Sequence, residues 1–310
     1  MRDFSIAIYK EFLNELKKAR YQFVTFEEYL TKSSNKEKMA ILRHDVDKSP
    51  RKALEMAEME KMLGIRGTYY FRIKKDVFPE DEIRIIAEMG HEIGYHYEDL
   101  DAARGDVEKA LASFNRNLER LREIVSVKTI CMHGSPMSSY DNRKLWDEYD
   151  YRENGIVGEP YFDIDFNKVM YLTDTGRMWD GGSVSIRDRV SGYGRRARDD
   201  REERRQKTGG DGQGAIGERE ERGQKKESIG QLDESCRSAV CDPPVLRLHS
   251  TADMILALKN DRLPDKIMLT IHPQRWTDKY IPWMVELIWQ KVKNPIKSIK
   301  RKRMKKMQKK

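Results

Sequence analysis

The chain has 310 residues, enough for one large α/β domain or for one domain with an appendage. Its hydrophobic share (38%) is low and its charged share (36%) high for a globular chain, so some of it stays outside any core; no stretch approaches the length of a membrane span. The net charge of +8 is local: residues 291–310 hold eleven Lys and Arg and no Asp or Glu, and subtracting that eleven leaves −3 for the remainder. That basic tail reads as a solvated terminus able to touch anionic surfaces, with no nucleic-acid partner expected. Cys131, Cys236 and Cys241 form neither a paired metal motif nor a disulfide framework, which fits a reduced, cytoplasmic protein. Asp3, Lys10 and Glu11 interrupt the N-terminal apolar pattern, so no signal peptide is expected.

In chain order, Phe4, Ile8, Phe12, Leu13 and Leu16 recur at helical spacing over 4–20. Thr25 and Glu28 form a capping box that opens a short helix at 26–31. From Met39 a compact apolar run ends in Arg43-His-Asp-Val-Asp47, the pattern of a buried parallel strand at its C-terminal end. Helices at 51–63, 79–89 and 106–124 then alternate with strands at 67–71, 92–95 and 128–132. Strands near 168–172 and 266–271 and a last helix near 280–293 continue the series. This alternation predicts a parallel sheet, best closed as a distorted (β/α) barrel of about seven strands. Residues 187–243 are rich in Arg, Glu, Asp, Gly and Gln and poor in large apolar residues. They cannot offset their chain entropy by burial and read as a disordered charged insertion. The expected organisation is thus one barrel from residues 1–186 and 244–293, the insertion at 187–243, and a basic tail at 294–310. Order resumes at Val245, with Ser250 or Thr251 capping a helix over 252–259.

Polar clusters stand where strands end. Asp45 and Asp47 are two apart, so in a strand they share a face, and two such carboxylates need a cation or a proton between them. His96 ends the strand that follows Gly90; His91, five residues earlier, falls on the opposite face and reads as structural. Tyr95 and Tyr97 either line a sugar-sized groove or pack. His272 ends the apolar run Met268-Leu-Thr-Ile, where an imidazole can exchange protons at a barrel mouth. His133, and Asp174 to Asp180 with Trp179, are weaker candidates of the same kind.

Four segments in this order, Ile41-Leu-Arg-His-Asp-Val-Asp47, Gly67-Thr-Tyr-Tyr-Phe71, Gly90-His-Glu-Ile-Gly-Tyr-His96 and Leu269-Thr-Ile-His272, resemble the polysaccharide deacetylase (NodB homology) family, carbohydrate esterase family 4. The resemblance covers residues 39–182 and 245–293. It implies a divalent metal, commonly zinc, and removal of N-acetyl groups from amino sugars. It implies Asp45 as catalytic base, Asp47 and His96 as metal ligands, and His272 as the acid that protonates the leaving amine. It implies Trp179 as an aromatic shaping the pocket; Tyr95 and Asp180 are further candidates for that pocket from their own positions. The family's second metal histidine would fall at Leu100, which cannot ligate; His133 is the candidate third ligand, with Asp99 or Glu98 as alternatives. The family's arginine-proline motif is also missing, with His133-Gly-Ser-Pro136 near its place.

The expected substrate is therefore a carbohydrate or small amide. The alternative is a non-catalytic barrel that binds carbohydrate or a protein partner. A third reading gives Trp283, Trp289 and the tail to a membrane surface or polyanion, against the simpler expectation that Ile281, Met284, Leu287 and Ile288 pack the last helix on the barrel.

Overall fold

The computed structural model describes residues 2–32, 37–74, 78–134, 138–179 and 248–307, with side chains to residue 295. The expected insertion at 187–243 lies outside the described residues, as does Asp180.

The elements follow the sequence reading closely. Helix α1 (Ile6–Lys18) is capped by Ser5 and buries Ile8, Tyr9, Phe12, Leu13 and Leu16. A short strand β1 (Gln22–Val24) leads to α2 (Phe26–Thr31), whose capping box is formed by Thr25 and Glu28. Three β-α units follow: β2 (Met39–Val46) with α3 (Pro50–Met62), β3 (Thr68–Phe71) with α4 (Glu80–Glu88), and β4 (Glu92–Tyr97) with the short α5 (Asp99–Ala102) and α6 (Val107–Arg122). Strand β5 (Ile130–Met132), α7 (Pro160–Asp163), β6 (Met170–Thr173), α8 (Thr251–Lys259), β7 (Lys266–Ile271) and α9 (Tyr280–Met307) complete the series. Ser250 caps α8 together with Asp253. The last helix is longer than its sequence pattern predicts and continues past Pro295 to Met307. The absent proline N–H removes one helical bond but does not end the helix.

All seven strands run parallel in one sheet, in the order β5-β4-β3-β2-β7-β6, with β1 pairing the start of β2. The sheet curls into a partial barrel backed by helices, the distorted (β/α) barrel expected. Alternation along each strand sorts its side chains. Tyr69, Phe71, Ile93, Tyr95, Tyr97, Ile130 and Met132 face the helices in one core, with Phe114, Leu118 and Leu121 of α6. Met39, Ile41, Tyr70, Cys131 and Met268 fill the concave side with Val24, Phe26 and Phe166. Gly94 is required on that concave side, because a Cβ there would stand 2.3 Å from the Tyr70 ring. Gly90 turns α4 into β4 at φ +91°, a conformation a side chain disfavours. No helix among the described residues is long and apolar enough to cross a membrane.

Candidate active site

The same alternation brings the predicted polar residues together. On β2, Met39 and Ile41 lie in the concave core, so Arg43 and Asp45 share their face, and Asp47 follows just past the strand end. His96 pairs with Cys131 in the β4–β5 register, so His133, two residues on, projects beside it. His133 continues that ladder, its N–H donating to the Tyr97 carbonyl at 2.8 Å. His272 leaves β7 two residues after Thr270, which registers with Arg43.

Asp47 is the centre of the group. One oxygen, Oδ1, is buried and has no hydrogen-bond partner. It lies 3.4 Å from Nε2 of His96 and 3.4 Å from Nε2 of His133. Its other oxygen accepts from Gln274 Nε2 at 3.2 Å and lies 3.9 Å from Nε2 of His272. One ligand atom from each of Asp47, His96 and His133 fits within 4.8 Å of the others, spacing suited to a single ion. Asp45, His96 and Cys131 also meet that spacing. There, however, both Asp45 oxygens are already engaged by a guanidinium.

That guanidinium belongs to Arg43, which the sequence reading did not single out. Its Nε donates to Asp45 Oδ1 at 2.8 Å and its terminal nitrogen to Oδ2 at 2.7 Å, both groups being buried. Two carboxylates side by side are thus relieved on the Asp45 side by an arginine rather than by a shared proton. Burial alone would raise the carboxyl of Asp45; Arg43, then His96 and His272, outweigh it and hold it below its usual range. Burial likewise works against ionised Asp47, and the imidazoles of His96, His133 and His272 hold it well below the ordinary carboxylate value. Burial would lower His96, yet Asp45 and Asp47 raise it. The cluster as a whole favours positive charge at its centre.

Outer contacts aim each imidazole. His96 Nδ1 lies 2.9 Å from the Cys131 carbonyl, which turns Nε2 toward Asp47. His133 Nδ1 lies 3.2 Å from Glu98, and Glu98 also pairs with Arg72. Burial opposes the charge on Glu98, but His133 and Arg72 bring it down to about 2. His272 Nδ1 is 2.6 Å from Asp174, whose oxygens also accept from the His272 N–H, from Arg275 and from Trp276 Nε1. Burial would raise Asp174; Arg275 and His272 bring it down to about 2. Asp174 was only a weaker candidate in the sequence. Its position one residue past β6, beside β7, was the available signal.

Other expected site residues lie elsewhere. Tyr95 is buried among the helices, donating to Asp99 at 2.7 Å and packing on Phe114. It faces away from Asp47 because it neighbours His96 along the strand. Tyr97 packs in the same layer, against Phe114 and Trp146. Trp179 is 1% exposed, lies between Phe12 and Trp276, and donates to Thr251, so it offers no face to a substrate. Leu100 is in the helix-side core. Asp99 accepts from Tyr95, Ser113 and Asn117 on that same side, away from Asp47. Glu98 stands behind His133 rather than in its place. His91 is structural, as its alternation implied: Nδ1 accepts the Gly67 N–H and Nε2 lies 3.1 Å from the Ala57 carbonyl.

Neither family models nor curated proteins yield a match to this chain. The solved structures similar to it include two family 4 carbohydrate esterases. A Streptococcus mutans CE4 esterase aligns with TM-score 0.38 and 11% identity over 86% of this chain and 84% of that one. Bacillus subtilis PdaA aligns with TM-score 0.30 and 16% identity over 52% of this chain and 66% of that one.

Proposed function

We propose that the chain is a metal-dependent hydrolase of amide C–N bonds whose substrate is an N-acetylated amino sugar or a related small amide. The observation that carries this reading is the bare, buried Oδ1 of Asp47 facing two imidazole nitrogens at 3.4 Å. A buried carboxylate oxygen without a donor is costly, and a cation is the partner its neighbours favour. One carboxylate and two imidazoles make a donor set suited to zinc, with room left for water or substrate.

A divalent cation there would polarise an amide carbonyl and lower the pKa of a water at the site. Asp45 stays ionised through neutral pH and takes the proton from the attacking water, its orientation fixed by two hydrogen bonds from Arg43. His272 turns Nε2 toward Asp47 and, as imidazolium, protonates the departing amine. Asp174 at Nδ1 holds that ring in place and stabilises its positive charge. Without a proton donor the tetrahedral intermediate would expel water instead of the amine. Leu100, which motivates the non-catalytic alternative, loses its force once His133 is the third donor at the site.

The test is acetate release from N-acetylglucosamine oligomers by the zinc-loaded chain. Asp45→Asn should lower turnover about a thousandfold, the scale of a lost general base, while metal content is unchanged. Loss of metal with turnover preserved in that variant would contradict the roles given.

A further inference from the structure

The last helix leaves a row of large apolar residues outside. Ile281, Val285, Ile288, Trp289 and Val292 are 71%, 60%, 57%, 52% and 54% exposed. Their spacing of three and four residues lines them along one face. Ile281 and Ile288, expected to pack on the barrel, therefore point to solvent. Met284 and Leu287, also expected to pack there, are half-buried, and polar residues join them on the inner side. Gln290 is buried and donates to Glu286 at 2.7 Å, and Asn294 donates to the Gly176 carbonyl at 3.1 Å. Trp283 anchors the start of the helix through its indole N–H, 2.7 Å from the Asp3 carbonyl, with Arg177 over its ring. An apolar stripe thus lies outermost on a helix fixed to the barrel.

An apolar stripe this continuous marks an interaction surface. The sequence beside it selects the partner. Residues 291–310 carry eleven Lys and Arg and no acidic residue, and α9 runs into that segment as far as Met307. Trp289 sits at the junction, with the Lys293 ammonium 4.4 Å from its ring centroid. A second copy of this chain would bring two such cationic segments together. An anionic lipid surface satisfies both features, taking up the stripe among acyl chains and drawing the basic segment to its headgroups.

We infer that α9 is an interfacial helix that docks the protein on anionic membranes, with Ile281, Val285, Ile288, Trp289 and Val292 entering the bilayer surface. The full chain should sediment with vesicles of phosphatidylcholine mixed with phosphatidylglycerol, and not with phosphatidylcholine alone. Added salt should weaken that binding. The triple variant Val285→Ser, Ile288→Ser, Trp289→Ser alters only exposed positions and should keep the wild-type unfolding temperature. Its vesicle partitioning should fall at least about tenfold, with heparin binding preserved. Three results would overturn the inference: wild-type partitioning in the triple variant, a wild type that binds heparin but no vesicles, or a wild-type dimer that the triple variant converts to monomer.

Discussion

Two buried clusters of histidine and carboxylate lie on opposite faces of the same sheet, and they differ in how their carboxylate oxygens are used. On the helix side, Glu60 accepts from the Tyr9 hydroxyl at 2.7 Å and from the Tyr69 hydroxyl at 2.9 Å. His44 lies 3.0 Å from it and stacks on Tyr69, and His91 lies 3.8 Å away. Both oxygens of Glu60 accept a hydroxyl, and both histidine rings are buried, the His44 nitrogens without a hydrogen-bond partner. On the concave side, Asp47 Oδ1 has no hydrogen-bond partner and faces Nε2 of His96 and His133, while Nε2 of His272 lies 3.9 Å from Oδ2. One residue of strand alternation separates His44 from Asp45, and with it the helix-side cluster from the concave one. The carboxylate oxygens distinguish the two: both accept hydroxyls on Glu60, and one has no hydrogen-bond partner on Asp47.

Removing the centre of each cluster should break the molecule in different ways. Glu60→Ala leaves two tyrosine hydroxyls and an imidazole buried without their partner, and should cost about 3–5 kcal/mol in denaturant unfolding. Molecules that remain folded should keep their metal. A Glu60→Ala chain of normal stability that cannot hold metal would dissolve the distinction.

A smaller effect sharpens the role of Asp174 at the edge of the open cluster. Its carboxyl falls from 3.8 to about 2 on folding. A depressed carboxyl contributes stability above its unfolded pKa and loses it as pH falls through the folded one. The contribution is about 2 kcal/mol, present at neutral pH and lost between about pH 4 and pH 2. Asp174→Asn should remove that acid-sensitive portion of the stability curve. An unchanged pH dependence would show that the pairing with His272 and Arg275 is not formed.

Smallest is Tyr95→Phe, which deletes the hydroxyl that donates to Asp99 on the helix side. The expected cost is about 1 kcal/mol, with turnover unchanged. A large loss of activity at full stability would return Tyr95 to the substrate groove.

Much of this was legible in the sequence because buried parallel strands are continuous apolar runs, and their polar ends mark the mouth. Asp45, Asp47, His96 and His272 were singled out that way, and the structure brings them close together. His133 was harder. It stands past a three-residue strand, and its approach to His96 depends on the β4–β5 register, which local periodicity does not set. The Arg43 pairing was readable in principle, two residues before Asp45 on the same face. Tyr95 was readable as a mistake, since a strand neighbour of His96 cannot share its groove. Trp179 was not readable, because its burial depends on α1 and on Trp276 arriving from distant parts of the chain. The last helix shows an amphipathic pattern, but only packing shows that Ile281, Val285, Ile288, Trp289 and Val292 stay outside while Met284 and Leu287 are half-buried.

The account stands on Asp47, His96 and His133 gathering one ion. The direct measurement is the metal content of the purified chain, by elemental analysis, beside that of His133→Ala. The account predicts one zinc or similar divalent ion per wild-type chain and a largely metal-free, still folded variant. A wild type that takes up no ion from zinc-containing buffer, or a His133→Ala chain that keeps its full complement, would contradict it.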